Sequence, residues 1–388
     1  MNLTKEQWLD QCKDNINKRD YELLSLAYDI LEENTLQGPD YPWGEYAVIS
    51  PWNKPGAGLW NWDTAFHAMG VSRYNTDLAK SCIEGFLQFQ KEDGMFPDVI
   101  SADGKTIVDD LSKPPVLPWA TMITYRRCGD KEFLRRCYNR YVKNEAFLIK
   151  ERQYEGLFFY SSQIDIEKDD YLHARWESGW DNSPRWDKPI VNYWAIDLNC
   201  FMVMKYRALA EMAEELGESE ETIKIWREKE KNLSELIEKH MFNEKMGYYA
   251  DTDKYTKEQS IVISPASFMP LFIGIASEEH AKKMSLMAKN ENKFYPGMPT
   301  VTYDDPAYST DYWRGPTWLN VAYFAVKGLR NYGYEDLADE ISEFLLDLIY
   351  ENKEKGIFEN YDTKNREGLY WHKFSWSCAF VMEFILNK

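Results

Sequence analysis

Apolar residues recur at helical spacing along nearly the whole chain, and the segments that carry them come in pairs joined by short turns. Side chains three and four positions apart share one face of a helix, so each segment presents an apolar stripe that needs a partner. The spacing predicts helices over roughly 4–16, 19–34, 62–72, 75–91, 117–127, 130–152, 191–215, 219–240, 264–272, 276–289, 314–331, 334–351 and 371–386. Starts and stops agree with capping chemistry. Asn75-Thr76-Asp77 opens one helix, Ser219 opens another, and Gly217 ends the one before it. Strand–helix–strand alternation is missing, and short pieces such as 247–250 read as hairpin ornaments. The pairs fall over 62–91, 117–152, 191–240, 264–289 and 314–351, with 4–34 and a final helix making up the balance. Six helical hairpins closing on themselves give an all-α fold, the (α/α)6 barrel or toroid. No linker rich in Pro, Gly or Ser divides residues 1–388, which read as a single domain.

Between the helices lie long segments at 35–61, 92–116, 154–190, 241–263, 290–313 and 352–370. Loops this long inside a helical domain are usually functional. If helices alternate inner and outer, alternate loops emerge on one face and can build one pocket. These loops are where Trp sits beside Gly, Pro and Asp. The chain has 15 Trp, 26 Tyr and 19 Phe, more flat aromatic surface than a helical core requires. Indole and phenol faces suit the C–H faces of pyranose rings. Thick helix packing would use aromatic residues too, so composition alone leaves both readings open.

Four loop constellations could carry chemistry. In 176–186, Trp176, Glu177, Trp180, Asp181, Arg185 and Trp186 gather around Gly179 and Pro184. An indole wall beside a carboxyl raises its pKa by desolvation, as a general acid needs. A capping loop with a surface Asp–Arg pair would look similar. In 356–362, Glu359 stands between Phe358 and the Asn360-Tyr361 pair, either poised in apolar surroundings or facing water from a strand edge. In 58–67, Asp63 follows Trp60 and Trp62 at a helix start. It either caps that helix or accepts two sugar hydroxyls. In 311–318, Trp313 and Arg314 precede Gly315-Pro316, where Arg offers a fixed fork of donors or a structural tie under a loop. Gln88, on a helix before the 92–116 loop, could reach a hydroxyl. His67, His173 and His372 read as structural or merely polar.

Other chemistries find no support. There is no nucleophile elbow, phosphate-binding loop or dinucleotide loop. The pairs Asp251/Asp253 and Asp304/Asp305 lack calcium-loop spacing, and no Cys or His grouping has zinc spacing, so neither metal nor cofactor is expected. A formal net charge of −18 disfavours nucleic acid and anionic membrane surfaces as partners. Six scattered cysteines, no apolar run near the roughly 18 residues of a membrane span, and a polar start without a leader pattern lead to the expectation of a cytoplasmic protein. Carboxylates set among aromatics remain, a pattern that fits glycoside hydrolysis.

The motifs GLWNWDTAFHAMG, ESGWDNSPRW, YWRGPTWLNVAYFAVKGL and FENYDTKNREG, in that order, resemble those of the (α/α)6 glycosidase clan. That clan contains glycoside hydrolase family 63, the family 37 trehalases and the mannosylglycerate hydrolases. The resemblance spans roughly 40–386 and is nearest to the family 63-like branch. It implies that Asp181 is the general acid and that Glu359 activates water. It implies that Asp63 and Arg314 line the subsite of the glycosyl ring. It also implies inversion at the anomeric carbon, which needs carboxyl groups roughly 6.5–9.5 Å apart with a water between them.

The expected substrate is a small α-glucoside or α-mannoside, including glucosyl- or mannosyl-glycerate, because the chain shows no β-rich N-terminal domain of the larger family members. Trp60, Trp62, Trp180, Trp313, Gln88, Arg185 and Tyr361 are expected to contact it, with Arg185 and Lys188 as candidates for a glycerate carboxylate. The stretch 51–60 matches a trehalase glycine-rich segment poorly, which places trehalose second. A sugar isomerase would need paired histidines, and a non-catalytic sugar-binding protein would not need both acids.

Overall fold

The computed structural model describes residues 2–38, 41, 43, 47–48, 58–162 and 173–387. Residues 51–57 of the trehalase-like comparison lie outside the described ones. The helices are α1 (Lys5–Cys12), α2 (Lys18–Glu33), α3 (Asn61–Val71), α4 (Thr76–Leu87), α5 (Leu117–Cys128), α6 (Lys131–Arg152), α7 (Ala174–Ser178), α8 (Ile196–Leu216), α9 (Glu220–Met241), α10 (Met269–Phe272), α11 (Glu278–Ala288), α12 (Leu319–Asn331), α13 (Glu335–Glu351) and α14 (Ser375–Leu386). The predicted caps form. Asn75 accepts from the Leu78 amide at 2.9 Å, Ser219 from the Thr222 amide at 3.1 Å, and Gly217 ends α8 in the left-handed conformation.

Six helices make a closed inner ring. In order around it, α3 touches α5, α5 touches α8, α8 touches α10 and the 3-10 turn Pro265–Phe268 before it, α10 touches α12, α12 touches α14, and α14 returns to α3. Pairings of α3 with α4, α5 with α6, α8 with α9 and α12 with α13 put a second layer outside the first. The final helix α14 packs on α2, so the two ends of the chain complete one hairpin together.

Sequence explains which helix goes where. All eleven residues of α3 are buried, and so are Ser375–Ile385 of α14. A helix apolar all round belongs in the middle of the molecule. By contrast, α9 buries only Trp226, Leu233, Ile237 and Met241, one stripe of a charged helix.

Four helices begin four or five residues later than the sequence expectation, at Ile196, Met269, Leu319 and Ser375, and the shifts at Ile196 and Leu319 come with strand pairing. Residues 190–192 form a 3-10 turn, and Tyr193–Trp194 pair antiparallel with Thr252–Asp253, so α8 begins at Ile196. Thr317 forms a β-bridge with Tyr361, so α12 begins at Leu319. In both places strand pairing takes the backbone donors that a helix would have used. The small β ornaments include a three-stranded sheet, Gly58–Trp60 with Val99–Ser101 with Ile107–Val108, and the hairpin Asn360–Asp362/Glu367–Leu369. No helix among the described residues is long and apolar enough to cross a membrane.

Candidate active site

The N-terminal ends of α3, α12 and α14 open on one cavity, closed from the sides by the 109–116 and 178–182 segments and by Glu359. The space between its walls, mouth included, is about 430 Å3. Indoles make the walls. Trp313 stacks on Trp318 at 4.0 Å between ring centres, Trp62 meets Trp376 edge-on at 5.2 Å, and Trp318 meets Trp376 at 5.4 Å. Helix N-termini carry partial positive charge, which favours carboxylates at this end of the ring.

Asp63 occupies the first turn of α3 and is buried. Its place is fixed by the strand before it. The Asn61 amide donates to the Asp98 carbonyl at 2.9 Å, and the Asn61 side chain donates to the Pro97 carbonyl at 2.9 Å.

Asp181 follows a tightly held corner. Gly179 ends α7 with φ of +76°, and a Cβ there would lie 2.4 Å from Cζ2 of Trp62. Only glycine permits that approach. Ser178 Oγ accepts from the Trp180 amide and from Trp186 Nε1, both at 3.0 Å. Glu177 is not in the cavity. It is buried against Arg152, with Nε to Oε2 at 2.9 Å, and accepts from the Ser161 amide at 2.7 Å. Asn182 ties the corner to the next loop: its side chain donates to Asp311 at 2.9 Å and accepts from the Trp313 amide at 2.8 Å.

Glu359 is 1% exposed and stands just before the strand Asn360–Asp362. Its amide donates to the Trp371 carbonyl at 2.7 Å. The Tyr312 hydroxyl donates to its Oε1 at 3.0 Å, and the Trp371 amide lies 3.5 Å from Oε2. Two more groups read this field. Tyr312 is pushed well above the usual phenol range, by burial first and then by Glu359, Asp181 and Asp63. Asp98 is pushed up to about 7 by burial, opposed by Lys113 at 3.2 Å and reinforced by Asp181 and Asp63. Asp98 and Lys113 form an ion pair beside the cavity, whose lining carries Lys113 as its one basic residue among the described ones.

Six of the residues singled out in the sequence meet here: Trp60, Trp62, Asp63, Asp181, Trp313 and Glu359 all line the cavity. Five do not. Trp180 lies behind Trp313, 4.9 Å between ring centres, and is 1% exposed. Arg185 is a correction. It is buried between Trp180 and Trp186 and fully engaged by two carboxylates, Asp197 at 2.9 Å and Asp251 at 2.8 and 2.9 Å. Arg314 is not among the lining residues: its fork grips Asp187 through two bonds of 2.9 Å and donates to the Asn182 carbonyl at 3.0 Å. Gln88 is exposed at the end of α4 and donates to the Gly85 carbonyl at 2.8 Å. Tyr361 is fully buried, with its hydroxyl accepting from the Phe358 amide at 2.9 Å. Lys188, the further candidate for a glycerate carboxylate, is exposed and not among the lining residues.

The sequence reading missed Lys113, Phe374 and Trp376, and quoted Tyr312 and Trp318 without assigning them a role. Trp376 had a signal available, since it opens the last inner helix as Trp62 opens the first. Lys113 precedes Pro114-Pro115 just before α5, and nothing local marks it as a cavity residue.

Known proteins resemble this chain in sequence and fold. The family model of the mannosylglycerate hydrolase MGH1-like glycoside hydrolase domain matches residues 56–377. The chain is 24% identical to the mannosylglycerate hydrolase of Rubrobacter radiotolerans, over 90% of this chain and 95% of that one. Among solved structures, the GH63 mannosylglycerate hydrolase of Thermus thermophilus, in complex with Tris and D-glycerate, superposes with a TM-score of 0.76 at 22% identity. That match covers 94% of this chain and all of the other. The neutral trehalase of Saccharomyces cerevisiae superposes with a TM-score of 0.69 at 19% identity, over 92% of this chain and 80% of that one. The (α/α)6 toroid is thus shared with both, and the fold alone does not choose between their substrates.

Proposed function

The chain belongs to the MGH1-like glycoside hydrolase family, and on that premise we propose that it hydrolyses a small α-glucoside or α-mannoside with inversion, Asp181 serving as general acid and Glu359 as general base. The observation that carries this reading is that Asp181 and Glu359 line one indole-walled cavity while coming from separate loops. Inversion needs one carboxylic acid to protonate the leaving oxygen and one carboxylate to deprotonate water on the opposite ring face.

Tyr312 supports the base assignment. Its hydroxyl donates to Oε1 and the Trp371 amide lies 3.5 Å from Oε2, so both oxygens of Glu359 are held in place. A hydrogen bond to a carboxylate also holds the side chain in one orientation, which a general base requires. Asp63, buried at the positive end of α3, suits a role in accepting ring hydroxyls. Trp62, Trp313 and Trp318 offer apolar faces and exclude bulk water. A glycerate-type leaving group draws support from Lys113 on the cavity wall and from the substrate name of the full-length relatives.

The test is a screen of α-glucosides, α-mannosides, trehalose, glucosylglycerate and mannosylglycerate, with NMR reading the first-formed anomer. A β-anomer from an α-glycoside is expected. An α-anomer as first product would overturn inversion, and trehalose as best substrate would overturn the choice of leaving group. Asp181→Asn and Glu359→Gln are each expected to lower turnover at least about 100-fold with the fold retained. Near-normal turnover by either variant would remove that residue from its role.

A further inference from the structure

A second cavity lies at the far ends of two of the helices that build the first. Its walls come from α1 and the turn after it, from the last residues of α14, and from two guanidinium groups, Arg73 just after α3 and Arg127 in the last turn of α5. The space between them, mouth included, is about 1000 Å3. Part of the lining is apolar, from Trp8, Ile16, Ile385 and Leu386. The same two helices, α3 and α14, carry Asp63 and Trp376 at their other ends.

The charges in this cavity do not balance. Arg73 Nε donates to Oε1 of Glu383 at 2.7 Å, while its Nη2 is buried without a hydrogen-bond partner among the described residues. Arg127 Nη1 is taken by the Met69 carbonyl at 3.0 Å and by Ser72 Oγ, neither of which is charged. Among the described residues, two guanidiniums therefore share one carboxylate, in a chain whose formal net charge is −18. The strain falls on Arg127, which is pushed down to about 10 by burial first and then by Arg73. A guanidinium fork matches the geometry of a phosphate or carboxylate oxyanion.

We propose that this cavity binds a phosphate or carboxylate oxyanion carried on a small organic body, the oxyanion held by Arg73 and Arg127 and the body seated against Trp8, Ile16, Ile385 and Leu386. The site is separate from the catalytic cavity and neither requires nor supports any particular sugar as substrate.

Cys12 gives a reporter inside the site. It lines the cavity and is half-buried, and Cys128 is the other half-buried thiol. Alkylation by iodoacetamide, followed peptide by peptide by mass spectrometry, separates the two. Phenyl phosphate at about 10 mM is expected to slow Cys12 several-fold and leave Cys128 unchanged. Inorganic phosphate is expected to protect less, because it leaves the apolar part of the lining bare. Gln11 and Asn15 are exposed on the rim, so Gln11→Glu with Asn15→Asp adds two negative charges without disturbing the core. That variant should keep its melting temperature and lose the protection. No slowing of Cys12, equal slowing of Cys128, or full protection in the rim variant would each overturn the anion site. Equal protection by the two phosphates would overturn the organic body.

Discussion

Tyr312 donates its hydroxyl to Oε1 of Glu359 at 3.0 Å, joining the loop before α12 to the segment that carries the base candidate. The backbone of Tyr312 has a positive φ of 50°, unusual for a large side chain, and Trp318 Nε1 holds its carbonyl at 3.0 Å. Such a conformation costs of order 1–3 kcal/mol and persists where surroundings enforce it, often at a functional site. Replacing Tyr312 by Phe keeps the ring and deletes the donor. A hydrogen bond to a charged group contributes about 1.5–3 kcal/mol. Tyr312→Phe is therefore expected to lower kcat about 10- to 100-fold, with a smaller change in KM. Steady-state kinetics on the best substrate of the screen decide it. An unchanged kcat would mean that Glu359 needs no help from Tyr312.

Gly179 is the corner that lets Asp181 and Trp62 share one wall. Its φ of +76° is strained for any other residue, and an added Cβ would fall 2.4 Å from the Trp62 ring, inside contact distance. Gly179→Ala must move the indole or twist the corner. The expected cost is about 1–3 kcal/mol in stability together with a loss of kcat, because the displaced ring belongs to the cavity. Urea denaturation measures the first and turnover the second. Full stability with full activity would show that the corner relaxes freely.

The helical pairs were legible because a 3.6-residue period is a local property, visible in any window of the chain. Loop motifs at Asp63, Asp181 and Glu359 were legible for a similar reason: each puts a carboxylate beside aromatics within a few positions. What a long polar side chain touches was not. Arg185 sits in the same motif as Asp181, yet its partners are Asp197 and Asp251, the second 66 positions away. An Arg aimed at a ligand and an Arg neutralised by two distant carboxylates read alike in sequence. The same limit applies to Lys113, whose partner Asp98 lies just before the strand Val99–Ser101 and whose contact with the Trp176 carbonyl crosses 63 positions. The late starts of α8 and α12 were hidden because strand pairing, unlike a helix cap, depends on a distant segment.

Arg314 offers a direct contrast between two roles that sequence could not separate. It bridges Asp187 and the Asn182 carbonyl, so it locks the Asp181 loop to the loop of Trp313. If locking is its role, Asp187→Asn and Arg314→Lys weaken the same device. Their losses in kcat/KM should be similar, and the double variant should lose little more than either single one. A ring-contacting Arg314 would behave differently: Arg314→Lys would raise KM sharply while Asp187→Asn left it unchanged. Kinetics of the three variants separate the cases.

Lys205 is costly to keep charged in the fold. It is completely buried between α6, α8 and α9, and its ammonium donates to Oδ1 of Asn144 at 2.6 Å. Burial pushes it down from 10.5 to about 7, against the attraction of Glu145, while Lys229 adds repulsion. Glu145 does not depend on it, because Lys229 at 2.6 Å and the Tyr206 hydroxyl at 3.2 Å also serve that carboxylate. The sign follows from proton binding. Between about 7 and 10.5 the unfolded chain holds a proton on Lys205 that the folded one lacks. Stability then rises with pH across that window, and below it the two states bind equally and the penalty is present in full. Lys205→Met removes the penalty and fills the space, at the cost of one hydrogen bond. Replacing a buried charge by an apolar side chain of similar volume is often stabilising by about 1–4 kcal/mol. The variant is expected to be more stable than the parent at pH 7, with the advantage shrinking as pH rises toward 10.5, above which the parent's lysine is neutral in both states. Urea denaturation at several pH values reads this directly. Parallel stability curves for the two proteins would show that Lys205 keeps its ordinary affinity for a proton inside the fold.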